Sequence, residues 1–472
     1  MVSTKKHNKS QGGVVHINTT FPTINHPKSI LTKLKNAEGL PFKDILSSES
    51  ITETLCDTEY RERLYTPDLV IFGFLSQVLS SDKSCQAAVA RILAYLLSQG
   101  KRMPSANTAA YSKARSRLSE EIISKLAKKS ADQLEEQAPS EWLWRRRHIK
   151  LIDGSTLFMP DTPKNQDAYP QSKNQKVGLG FPIARIVAVI SYATGAVLDV
   201  AASCCFGEGA GEHSLLRQII DVFKPGDIAL ADCYYSSYFL MAKLIELKVD
   251  AVFPLHSGRH HDFRKGMRLG KKDHIVKWKK PQKPKWMSDD EYDGFPDNIS
   301  IREVSTQQER KGFKSKERVI VTTFLDSKSV CKNDLKIMYN YRWSVEIDLK
   351  SIKDTMRMGI LRGKTPEMVR KEIWMHMLAY NLIRKLMAQA ANAYNKKPRE
   401  LSFKLTLQLL DAFLQARSYS QIKNDIHIHL FKAISHKKIG NREGRQEPRM
   451  LKRRPKNYPL LMKPRSQYQR VA

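Results

Sequence analysis

The sequence predicts a mixed α/β fold, fronted by a helical region and interrupted by a basic segment. Three observations carry that prediction. Residues 27–137 show helical periodicity with helix-start signals. From residue 148 the pattern changes to short apolar runs, first joined by a hairpin turn and then alternating with amphipathic helices. Between residues 257 and 316 that alternation stops and lysine and arginine dominate.

Taken in order, residues 1–26 are polar and expected to be flexible. "TPDLVIFGFLSQVLS" opens with Thr66 as N-cap and Pro67 in the first turn. "SCQAAVARILAYLLSQG" is a second helix ending at Gly100. "NTAAYSKARSRL" is a polar, basic third one. Helix, short turn and basic helix resemble a helix–turn–helix, with Tyr111, Lys113, Arg115 and Arg117 as DNA contacts. An ordinary helical hairpin with a solvated face is the competing reading. "HIKLIDGSTLFM" is a strand, and "ARIVAVISYATGAVLDVAAS" is two strands joined at Thr194 and Gly195. "GEHSLLRQIIDVF" is an amphipathic helix, "DIALAD" a short buried strand, and "SSYFLMAKLIELKV" a helix capped by Ser236 or Ser237. "DAVFPLH" is a further strand. Residues 257–316 form an inserted, partly β segment, in which residues 259–285 hold 11 Lys or Arg against two Asp. "RVIVTTFLD" returns to the sheet, "YNYRWSVEIDLKSIKD" is a helix, and Thr365, Pro366 and Glu367 start a long one. The tail after Lys437 is basic and proline-bearing.

With 472 residues the chain is expected to fold as about two to four structural units. Its 80 Lys and Arg against 48 Asp and Glu leave a net charge of +32, which makes a polyanion, and nucleic acid first among them, the expected partner. No apolar run approaches the ~18 residues of a membrane span. The N-terminus lacks the apolar region of a secretory signal. The six cysteines form no CxxC pair, excluding a zinc module and suggesting reduced thiols in a cytosolic protein.

Three carboxylates stand out. Asp153 ends the apolar run "IKLID", and Asp232 ends "IALAD"; a carboxylate at a buried strand tip projects into the crevice where open α/β sheets carry sites. Glu346 lies on a helix with Tyr339, Arg342 and Lys353 at offsets −7, −4 and +7, all within about 60° of one face. Singly, each aspartate reads as a cap or turn former. Alone, Arg342 and Glu346 read as an i,i+4 pair on a solvated face. Together in one strongly basic chain they specify hard oxygen ligands, hence Mg²⁺ or Mn²⁺. Two such ions ~3.5–4 Å apart clamp the attacking and leaving oxygens of an in-line phosphoryl displacement.

The spacing Tyr339-x₂-Arg342-x₃-Glu346-x₆-Lys353 resembles the Tyr-Arg-Glu-Lys signature of one large group of bacterial insertion-sequence transposases of the DDE type. "LIDGS", "LADCYY", "GEHSLLRQ", "DAVFPLH", "TPEMVRKEIWMHMLAYNLIR" and "RRPKNYPLLMKPR" are similar to that family too, so the likeness spans roughly residues 55–465. It implies a ribonuclease-H-like core over residues 138–395 with the β-rich insertion inside it, behind a helical DNA-binding domain at 27–137 and before a helical and basic C-terminal region at 396–472. It implies that Asp153, Asp232 and Glu346 bind two Mg²⁺ or Mn²⁺ ions, that Arg342 and Tyr339 grip transposon-end phosphates beside a flipped base, and that Lys353 contacts the strand being cut or joined. It implies cut-and-paste transposition on terminal inverted repeats and target DNA, by a homodimer in the DNA complex, in the bacterial cytoplasm at the nucleoid. Some relatives stack the flipped base on a Trp in the strand before the signature. Here Arg318 stands at about that place, and the nearest tryptophans are Trp278, Trp286 and Trp343.

Three other features are set aside. "GILRGKT" is one residue short of a phosphate loop and follows a helix instead of a strand. "FGEGAGEHS" is glycine-rich, but Glu208 and Glu212 would repel phosphate, so it reads as a strand-to-helix turn. His260 and His261 have no acidic company and read as DNA-facing or incidental. A metal nuclease without strand transfer and a non-catalytic DNA-binding derivative are the alternatives to a transposase; a membrane-surface binder lacks the amphipathic basic helix it would need.

Overall fold

The computed structural model describes residues 64–101, 104–308, 316–417, 426–436 and 460–464, with a few single positions besides. The segment 1–26 and most of the basic tail after Lys437 lie outside the described residues.

Four helices lead the described chain: α1 (Pro67–Leu79), α2 (Cys85–Ser98), α3 (Thr108–Arg117) and α4 (Glu120–Glu136). Ser84, Asn107 and Ser119 cap the last three through their side chains, each satisfying an otherwise orphaned N–H. Thr66 occupies the cap position of α1 but its hydroxyl makes no capping bond; Pro67 supplies the start instead. Tyr111 is not a surface contact. It is fully buried, its hydroxyl donating to Gln77 Oε1 at 3.0 Å. Arg115 turns inward to the same oxygen at 2.7 Å and lies over the Phe74 ring. Packing against α1 takes both from the DNA-facing set, while Lys113 and Arg117 stay exposed.

The sheet has nine strands in the order β3-β2-β1-β4-β5-β9-β8-β7-β6. β1 (Ile149–Phe158), β2 (Ile183–Ser191) and β3 (Val197–Cys204) form an antiparallel meander, with the six-residue helix α5 (Pro163–Ala168) between the first two. The predicted hairpin turns at Gly195, whose φ of +77° favours glycine; a Cβ there would also stand 1.5 Å from the Arg384 guanidinium. Next come α6 (Glu212–Gln218), β4 (Ile228–Leu230), α7 (Tyr238–Glu246), capped by Ser237, and β5 (Asp250–Pro254). β4 joins β1 and β5 in parallel, as expected where helices cross over the sheet. Alternation then sorts the side chains. Leu151, Leu157, Ile228 and Leu230 face one core layer; Ile152, Ala229 and Ala231 face the other, with Leu215 and Leu216 of α6 and Met241 and Leu244 of α7.

The basic insertion extends this same sheet. β6 (Met267–Gly270), β7 (Asp273–Lys279), the short α8 (Asp289–Asp293) and β8 (Asn298–Gln308) precede β9 (Lys316–Thr322), which pairs antiparallel with both β8 and β5. Arg302 on β8 is fully buried. It makes a two-pronged pair with Asp273 at 2.8 and 2.6 Å and donates to the Val330 carbonyl at 2.7 Å. Trp278 is buried as well, its indole N–H on Glu303 and the Arg259 guanidinium 3.9 Å over its ring.

The "YNYRWSVEIDLKSIKD" stretch is not one regular helix. α9 (Lys332–Asn340) ends in i→i+3 bonds through Tyr341 and Arg342; α10 (Trp343–Lys350) follows; a π turn covers Ser351–Thr355. A regular period cannot reveal such tightening and widening, which depend on what the turns pack against. α11 (Pro366–Ala393) starts as predicted, with Thr365 capping Met368, and runs through the core; α12 (Phe403–Arg417) and α13 (Ile426–His436) complete the described helices. No described helix is long and apolar enough to cross a membrane.

Candidate active site

β4 is much shorter than β1. Their ladder stops at Leu151 opposite Leu230, and two residues further along each chain lie Asp153 and Asp232. Asp153 therefore does not end its strand: β1 continues to Phe158 through its pairing with β2. The apolar run ends at Asp153 because β4 ends there, and the crevice opens beside β1. The period of two puts both aspartates on the face of Leu151 and Leu230, the side on which Val345 and Leu349 pack α10 into the core. Asp153 Oδ1 accepts the Gly154 N–H at 2.9 Å, and Asp232 Oδ1 caps the next turn at Tyr234 N, 2.8 Å away.

Burial pushes the Asp153 carboxyl up to about 6. The Gly154 N–H and the Arg342 charge oppose that rise, and the neighbouring carboxylates of Asp232 and Glu346 add to it. Glu346 is held by Arg342 at 2.6 Å. Burial works against the Arg342 charge, but Tyr339, Glu346 and Asp153 together raise its pKa. Lys353 stands in the π turn, and its ammonium donates to Ser155 Oγ at 2.9 Å. Ser155 lies two residues past Asp153, hence on the same face of β1.

Tyr339 is only 6% exposed. Its ring carries the guanidinium groups of Arg318 at 5.0 Å and Arg342 at 5.9 Å, so what it presents outward is mainly their charge. Among the three tryptophans near the insertion and signature, Trp286 and Trp343 are half-exposed; Trp286 carries Arg217 at 3.7 Å over its ring.

The structure thus brings Asp153, Asp232, Glu346, Arg342 and Lys353 to one crevice, with Tyr339 behind them. Among the described residues no group of three His, Cys, Asp or Glu side chains is placed to hold a metal ion; Arg342 holds Glu346, and backbone amides hold Asp153 and Asp232. The sequence reading missed Ser155, for which the period-two offset from Asp153 was a usable signal. It also set Glu212 aside. Glu212 accepts the Tyr235 hydroxyl at 3.1 Å and lies against Gly154, where a Cβ would come within 2.5 Å of its carboxyl carbon.

A family model described as a transposase DDE domain matches residues 144–382. Over 465 residues, covering 95% of this chain and 99% of the relative, the sequence is 28% identical to the transposase InsG for insertion sequence element IS4 of Escherichia coli. The family match reaches from just before β1 into α11, and so contains the whole crevice. The chain belongs to the DDE family of transposases.

Proposed function

We propose that this transposase moves its element by cut-and-paste, with Asp153, Asp232 and Glu346 as the metal-binding carboxylates. The observation that carries this reading is the convergence of the three on one crevice at the end of a truncated ladder. Their chemistry fits divalent cations: the donors are all oxygens, and a carboxyl lifted by burial, and further by two like charges, is the kind of group a cation relieves. Two Mg²⁺ or Mn²⁺ ions bound there would supply Lewis-acid stabilisation of the attacking and leaving oxygens of a phosphoryl transfer.

The chain's own residues do the rest. Asp153 and Asp232 are held by backbone N–H groups in extended backbone, so their oxygens are oriented before DNA arrives. Arg342 and Arg318, backed by Tyr339, offer guanidinium groups to phosphates of the transposon end. Lys353, poised on Ser155, reaches the strand next to Asp153. In the first reaction water attacks the scissile phosphorus and releases a 3′-hydroxyl. In the second that hydroxyl attacks target DNA, expelling a new 3′-hydroxyl with inversion at phosphorus. Binding of terminal inverted repeats by a homodimer belongs to the same proposal.

The test is a supercoiled plasmid carrying the element's terminal repeats, incubated with protein and Mg²⁺. Excised donor and strand-transfer product are expected. Nicked or linear plasmid with no joined product would instead assign a nuclease without strand transfer.

A further inference from the structure

Among the described residues no backbone hydrogen bond joins the Asp232 turn to β1, and the β1–β4 ladder stops at Leu151 and Leu230. Two strands released from a ladder ordinarily diverge with the sheet's twist. Yet a metal site built on both chains needs their carboxylates at a fixed separation. The bridge between them is made of side chains. Asp232 caps the short turn Cys233–Tyr235. The fully buried Tyr235 sends its hydroxyl to Glu212 Oε2 at 3.1 Å. The Glu212 carboxylate in turn packs flat against Gly154, the residue after Asp153, with its three carboxyl atoms 2.5, 2.6 and 2.8 Å from where a Cβ would stand. Gly154 has no left-handed backbone to explain it, so its lack of a side chain serves this approach. A second contact from the same helix start reinforces the bridge: His213 Nε2 meets the Tyr234 carbonyl at 2.8 Å.

We infer that Glu212 and Tyr235 are positioning residues, a clasp across the open end of the β1–β4 ladder that sets the spacing of Asp153 and Asp232. The inference rests on the metal-site reading above. The clasp lies on the opposite face of β1 from the two aspartates, so it acts through the backbone and touches neither substrate nor ion. Its chemistry is a neutral phenol donating to a carboxylate, for which a Gln amide oxygen at position 212 can substitute, while Ala at 212 or Phe at 235 cannot.

The experiment titrates the full-length protein, free of DNA, with Mn²⁺ and follows free Mn²⁺ by electron paramagnetic resonance, with a thermal melt of each variant alongside. Tyr235→Phe and Glu212→Ala should each weaken Mn²⁺ binding about tenfold or more, as loss of an outer partner does at other metal sites. Glu212→Gln should stay near the parent. If Tyr235→Phe fails to fold, the contrast between Glu212→Ala and Glu212→Gln carries the test alone. Parent-like Mn²⁺ binding in Glu212→Ala, whatever its melting temperature, would overturn the clasp. So would a Glu212→Gln protein as impaired as Glu212→Ala. Asp153→Asn and Asp232→Asn serve as controls: if they too bind Mn²⁺ like the parent, the metal-site reading falls and the clasp with it; if they lose Mn²⁺ while the clasp variants keep it, the clasp alone is wrong.

Discussion

Replacing Asp153 with Asn should stabilise the metal-free protein, and only above a definite pH. A carboxyl raised from its ordinary 3.8 to about 6 costs the ionised folded state about 3 kcal/mol, at about 1.4 kcal/mol per decade. Between those two values the folded chain keeps the proton and the unfolded chain has released it. Asp153 therefore costs the parent stability as pH rises through about 4 to 6, and its contribution is constant outside that window. Asn removes the charge while its amide oxygen can still accept the Gly154 N–H. The gain should be near zero below about pH 4 and approach ~3 kcal/mol above about pH 7. Urea unfolding of both proteins in EDTA at several pH values measures it. Adding Mn²⁺ at about 100 times its Kd near pH 8 should then stabilise the parent by about 2.7 kcal/mol and leave Asp153→Asn nearly unmoved. An Asn variant less stable than the parent at pH 8, or a gain that does not vary with pH, would refute the placing of a strained carboxylate here.

Arg342→Ala and Lys353→Ala should bind cleaved transposon ends about tenfold more weakly in fluorescence anisotropy, because a charge-assisted phosphate contact is worth roughly 1.5–3 kcal/mol. Both should melt close to the parent; a large drop in melting temperature with unchanged end binding would assign them to the fold. Tyr111→Phe should lose about 1 kcal/mol of stability with its bond to Gln77 and leave DNA affinity alone. The double change Lys113→Ala with Arg117→Ala should do the reverse, and an equal loss of affinity in both proteins would restore Tyr111 to the DNA-contact set. Removing residues 437–472 should flatten the dependence of log affinity on log salt, by up to about 0.9 for each phosphate the tail had neutralised. An unchanged slope would make the tail's twelve cations between 437 and 470 a solvated extension.

The parts of the site that the sequence displayed are those fixed by local pattern. Asp232 follows the apolar run of residues 228–231, and Glu346 belongs to a spacing that survives even though its helix is broken. Asp153 was legible as a carboxylate beside a buried strand but not as a mid-strand residue, since only the pairing of 153–158 with 188–183 shows that β1 goes on. The irregular turns around Tyr341 and Ser351 left no trace in the periodicity. Tyr111 was misread because burial is decided by its neighbour α1, not by the basic helix that bears it. Glu212 was dismissed for repelling phosphate; that charge is spent inward, on Tyr235, which no spacing along the chain could announce.

The buried Arg302 has a mechanical consequence. Because it joins Asp273 on β7 to the Val330 carbonyl just ahead of α9, the insertion cannot swing as a flap apart from the stretch that delivers Glu346. Sheet hydrogen bonds reach from β6 through β8 and β9 to β5, and on through β4 to β1. Arg268, Lys277 and Lys279 of the insertion thus ride on the same stiff frame as Asp153. A phosphate held by those cations would lie at a distance from the Asp153 carboxylate that strand count sets, and not a hinge.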